Sequence, residues 1–87
     1  MTEHNRSMRD RARVMDAAAR SGWHAVMDGK DRMVFTRSGR MVSVNWYPAS
    51  DEIISAFQGA ADGTGVRAIK AVKGKSMLAA IAAVLRG

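Results

Sequence analysis

The sequence predicts an α+β fold: an N-terminal helix, an antiparallel meander of three or four strands, and a C-terminal helix packed on one sheet face. Three observations carry that prediction. Residues 32–47 alternate apolar and polar positions around Ser38-Gly39, the pattern of a hairpin of two half-buried strands. Residues 7–20 and 76–85 repeat their apolar positions at helical spacing instead. Between them, Asp28-Gly29 and the glycines at 59, 63 and 65 supply turn chemistry where a meander needs it.

Residues 1–6 are polar and are expected to be disordered, which leaves 7–87 as a single domain. In the first helix Met8, Ala12, Met15 and Ala19 form the expected apolar stripe, with Val14 and Ala18 widening it. Ser7 is the expected N-cap, with Asp10 three residues on as an approximate capping box. Asp16 and Arg20 are spaced to pair on the outer face, and Gly22 suits the left-handed C-cap. Arg6, Arg9, Arg11 and Arg13 have the look of a nucleic-acid-binding arm. Glu3, Asp10 and Asp16 interleave with them, so a solvated helix face is the commoner reading.

Residues 23–27 form a candidate first strand whose register depends on the following loop. A two-residue turn at Asp28-Gly29 would put His24 and Val26 on the Phe35 face. A three-residue loop would put Trp23, Ala25 and Met27 there, and burial of the Trp23 indole favours it. In the central hairpin a two-residue turn sets Phe35 opposite Val42 and Met33 opposite Val44, with Trp46 extending the same apolar face. The opposite face reads Arg32, Val34, Thr36, Met41, Ser43, Asn45 and Tyr47, mixed enough to meet water. Residues 52–57 admit two readings, a fourth strand or a helix capped by Ser50. The strand continues the meander without a break. Residues 59–65 form a loop, and 66–73 a short strand or an extended arm. The last helix, 76–85, starts at Ser76 and stops at Gly87. Its apolar stripe is Met77, Leu78, Ile81, Val84 and Leu85, with alanine in the gaps.

That helix is apolar on nearly every side, and a helix of that kind is normally buried on every side. An 87-residue chain surrounds one with difficulty. Unless the first helix supplies the cover, which is the alternative, Met77, Leu78, Ile81, Val84 and Leu85 are therefore expected to meet a second subunit in part, which points to a homodimer.

Composition narrows the function classes. Cysteine is absent, which excludes disulfides and thiolate metal sites and suits a cytoplasmic protein. No apolar run approaches the roughly 18 residues of a membrane span, and the N-terminus lacks the apolar core of a signal peptide. The net charge of +6 permits an anionic partner, nucleic acid foremost. The distribution sharpens this: beyond Asp62 there is no acidic residue, while Arg67, Lys70, Lys73, Lys75 and Arg86 are all basic.

Gly74-Lys75-Ser76 at a helix start has the ending of a phosphate-binding loop, but the glycine needed five residues before Gly74 is Ile69. An ATPase is excluded. What remains is a Ser-capped helix N-terminus beside Lys73 and Lys75, whose free N–H groups suit a phosphate oxygen. The double-stranded RNA-binding domain also runs helix, strands, helix. Where it carries a lysine pair after the helix-starting serine, this chain has Met77 and Leu78. Arg37 and Arg40 face each other at the hairpin tip, where an anion held between them would relieve their repulsion. Trp46 and Tyr47 beside the sheet are candidate stacking residues, although a tryptophan there is more often core. His4 and His24 have no second histidine or cysteine with which to share a metal, and no nucleophile–base spacing occurs. The sequence thus points to no enzyme, no metal and no cofactor.

Ser21-Gly22-Trp23, then Val42-Ser43-Val44-Asn45-Trp46-Tyr47, Ile53-Ile54-Ser55-Ala56 and Gly74-Lys75-Ser76 with Ala83-Val84-Leu85 occur in that order. In this respect the chain resembles small uncharacterised proteins of actinobacterial phages. The resemblance implies a phage accessory protein and carries over no binding residue. Two functions follow as expectations. One is a basic binding protein that contacts nucleic acid through Arg37, Arg40, Lys70, Lys73 and Lys75. The other is a self-associating module that engages a host or phage protein through apolar surface.

Overall fold

The computed structural model describes residues 10–87. Its elements are α1 (Asp10–Arg20), β1 (His24–Met27), β2 (Arg32–Arg37), β3 (Arg40–Trp46), β4 (Ile53–Ala60), β5 (Arg67–Ala68) and α2 (Met77–Arg86). The strands form one antiparallel sheet in the order β1-β2-β3-β4-β5. The α+β meander is therefore as expected, one short strand longer than three or four.

The central hairpin has the expected register. Phe35 pairs with Val42, Met33 with Val44 and Arg37 with Arg40. Ser38 (φ 50°) and Gly39 (φ 76°) both lie in the left-handed region, as the commonest tight hairpin turn requires. Met33, Phe35, Val42, Val44 and Trp46 are all buried. The β1–β2 connection takes the longer of the two loops: Met27 pairs with Met33, and the Asp28 N–H donates to the Arg32 carbonyl. That loop turns Trp23 inward, where its Nε1–H donates to the Leu85 carbonyl at 2.7 Å.

The ambiguous segment is strand β4. Asp51 has φ 59°, a left-handed conformation that a first helical residue does not adopt. Its neighbours then pair with β3 from Arg40↔Ala60 down to Trp46↔Ile53. The register slips between Asn45 and Trp46, so that Ile54 is passed over and Ile53 packs against the core. This bulge keeps Trp46 and Ile53 on the helix side of the sheet.

Both helices lie on that same side. Val14 and Ala18 from α1 join Ile81 and Leu85 from α2 over Phe35, Val42, Val44, Trp46 and Ala56 in one core. The expected α1 stripe is corrected here: Ala12, Met15 and Ala19 are exposed, and the pair taken as widening, Val14 and Ala18, is the buried face. Ser7, Met8, Arg6, Arg9, Glu3, His4 and the expected disorder of residues 1–6 lie outside the described residues. Among the described residues no helix lies on the opposite face of the sheet.

Candidate nucleic-acid interface

The type of turn at Ser38-Gly39 fixes where the two tip arginines go. Paired directly across the hairpin, both reach back over the Trp23 ring, with guanidinium carbons 4.7 Å (Arg37) and 5.3 Å (Arg40) from its centroid. Arg37 donates to the Ser21 carbonyl at 2.7 Å and to the Gly87 carbonyl at 2.9 Å. Arg40 donates to the same Gly87 oxygen at 3.0 Å and, over a longer 3.5 Å, to Val84. These carbonyls end α1 and α2, where the helix dipole is negative. Where an external anion is expected between the arginines, the structure has the Gly87 oxygen, and Trp23 supplies a π face.

The basic run after Asp62 is arranged differently. Arg67 lies on β5, Lys70, Lys73 and Lys75 lie on the connection from β5 to α2, and Arg86 ends α2. All five are exposed. Among the described residues none of them forms an ion pair. The ion pairs lie elsewhere: Asp16 with Arg20 at 2.9 Å, Asp28 with Arg32 at 3.5 Å, and Asp51 with Arg11 at 3.5 Å. Asp62, the nearest acid in sequence, is occupied by its own loop. It accepts from the Thr64 hydroxyl at 2.6 Å and from the Thr64 N–H at 3.0 Å, and these bonds hold its carboxyl below the usual aspartate range.

The five basic residues expected as one site do not converge. Arg37 and Arg40 stand at the C-terminal end of α2, Lys73 and Lys75 near its N-terminal end. The ten residues of α2 separate the two groups by about 15 Å. At that N-terminal end the Ser76 hydroxyl accepts from the Ala79 N–H at 3.0 Å, so the cap itself uses one of the donors a phosphate would need. Arg67, which the sequence did not single out, shares with Arg40 and Gln58 a cleft of about 410 Å³ between the hairpin tip and the β4–β5 loop. Its basic character alone was the signal. Its position beside Gln58 follows from strand pairing, which the sequence does not display.

The apolar residues of α2 are covered to different degrees. Ile81 and Leu85 are fully buried in this chain's own core, and Met77, Leu78 and Val84 are partly buried against it. α1 supplies the cover that the sheet alone could not. What α2 shows to solvent is mainly Ala79, Ala83 and Arg86. Trp46 is likewise core and unavailable for stacking, whereas Tyr47 is exposed. Among the described residues no group of three His, Cys, Asp or Glu side chains is placed to hold a metal, and no helix is long and apolar enough to cross a membrane. No protein-family model, characterised protein or solved structure matches this chain.

Proposed function

We propose that this is a small basic protein that binds nucleic acid along the flank formed by β5, the connection to α2 and the outer side of α2. Arg67, Lys70, Lys73, Lys75 and Arg86 contact phosphates there. One observation carries the reading: these five cations are exposed and, among the described residues, form no ion pair, on a stretch with no acidic residue, whereas Arg11, Arg20 and Arg32 pair with aspartates and Arg37 and Arg40 donate to carbonyls. A protein does not gain stability from an unpaired lysine row, and repulsion along it is relieved by a polyanion. Arg37 and Arg40 hold the helix ends rather than the ligand. The protein acts by binding, as an accessory protein of the kind the phage resemblance implies, and not by catalysis. Self-association through α2 has no comparable support, because its large side chains are used within the chain.

The test is a fluorescence-anisotropy titration of a labelled oligonucleotide at low salt. Wild-type protein should bind in the micromolar range expected for phosphate-driven contact. Replacing Lys70, Lys73 and Lys75 with glutamine should weaken binding at least tenfold and equally for unrelated sequences. No complex with tens of micromolar wild-type protein would refute the proposal.

A further inference from the structure

The sheet face away from the helices carries a cavity of about 400 Å³, lined chiefly by Arg32, Met41, Ser43, Asn45, Phe57 and Val66. Strand pairing explains the grouping. Phe57 lies opposite Ser43, and Arg32 lies opposite Asn45, so an aromatic ring, a hydroxyl, an amide and a guanidinium share one face. The β4–β5 loop raises one wall. It lies so close to β4 that a Cβ on Gly59 would stand 3.0 Å from the Thr64 carbonyl oxygen and from Val66, so any larger residue there would push the loop outward. Val66 is thereby brought to the rim of the cavity.

The polar groups are held in place but not used up. Asn45 donates through Nδ2 to the Ser55 hydroxyl at 3.0 Å, which orients the amide and leaves Oδ1 and its second N–H for a ligand. Arg32 meets Asp28 through Nε at 3.5 Å, leaving its terminal nitrogens. Phe57 and Met41 are only partly buried and form an apolar floor. Cations flank the site. Arg32 lines it, and Ala68, which pairs with Phe57, leads through the buried Ile69 to the exposed Lys70.

We infer that this open sheet face receives an unstacked base of a single-stranded nucleic acid, its ring on Phe57 and Met41, its edge read by Asn45 and Arg32, and its backbone passing Lys70. The inference rests on the proposed function and adds to it the kind of nucleic acid. An aromatic ring and a thioether beside an amide held by the Ser55 hydroxyl suit a planar heterocycle, and bases stacked in a duplex are not free to reach them. The flanking cations suit the strand's phosphates.

Anisotropy with a labelled mixed-sequence single-stranded octanucleotide and with its duplex tests this in wild type, Phe57→Leu and Asn45→Ala. Leucine keeps the apolar volume and removes the ring, and the amide spectrum of each variant by NMR establishes that it is folded. Wild type should prefer the single strand. Phe57→Leu should weaken single-strand binding by roughly five- to a hundredfold, the effect of losing one stacked base. Duplex affinity and the salt slope should not change, and Asn45→Ala should act in the same direction. Single-strand affinities equal to wild type in both folded variants would overturn the inference and leave the proposed function standing. Binding to neither nucleic acid would overturn both.

Discussion

Arg37 shows why a residue's charge does not by itself give its role. On a hairpin tip opposite Arg40 it reads as an anion-binding pair. In the structure both guanidiniums lie over Trp23 and donate to carbonyls at the helix ends. Their partners lie 16 and 50 residues away from Arg37, too far for local sequence pattern to reveal. The two tryptophans differ in the same way. Trp23 Nε1–H has the Leu85 carbonyl, while Trp46 Nε1 is buried with no hydrogen-bond partner among the described residues, which costs about 1–3 kcal/mol. If Arg37 is a clamp, Arg37→Ala should destabilise the fold by about 1–3 kcal/mol, the range for hydrogen bonds from a charged donor. Oligonucleotide affinity should stay within about twofold of wild type. Urea denaturation and anisotropy on the same protein measure both.

At the level of elements, the hairpin was legible because its period of two, its turn dipeptide and its apolar face all favour one register. A one-residue slip would expose every buried side chain of Met33, Phe35, Val42 and Val44. Helix α1 was less legible because it offers two apolar stripes. Ala12, Met15 and Ala19 form one; Val14 and Ala18 form the other and are the ones buried. Val14 and Ala18 pack in the core with Trp23, whose backbone N–H donates to the Ala18 carbonyl as α1 ends. Val14→Ala should therefore destabilise by about 1.5–3 kcal/mol, and Met15→Ala by less than about 0.5 kcal/mol. Thermal denaturation that ranked the two in reverse would restore the wider stripe. Strand β4 was undecidable locally, since Ile53, Ile54 and Phe57 suit a strand or a helix. Its pairing with β3 and the left-handed Asp51 decide it.

Over the whole molecule, the need to cover α2 was legible, but the choice between α1 and a second subunit was not. An apolar helix in a short chain implied a second subunit, and α1 turned out to share the same sheet face, so one core takes the large side chains of both helices. The charge asymmetry was also legible, because the absence of acids after Asp62 is a property of the sequence and not of the fold. Which cations stay available was not: that depends on the partners at the helix ends and on where β5 ends. The open face with Phe57 was missed because an undecided segment assigns no faces.

The central claim, that the exposed cations from Arg67 to Arg86 meet phosphates, is tested most directly by the salt dependence of oligonucleotide affinity. Each phosphate neutralised contributes about 0.7–0.9 to the slope of log K against log salt. Contacts from four or five cations thus predict a slope of about −3 to −4 for wild type. Substituting Lys70, Lys73 and Lys75 with glutamine should flatten it by about 2. A wild-type affinity that stays constant between about 50 and 200 mM salt would contradict the account.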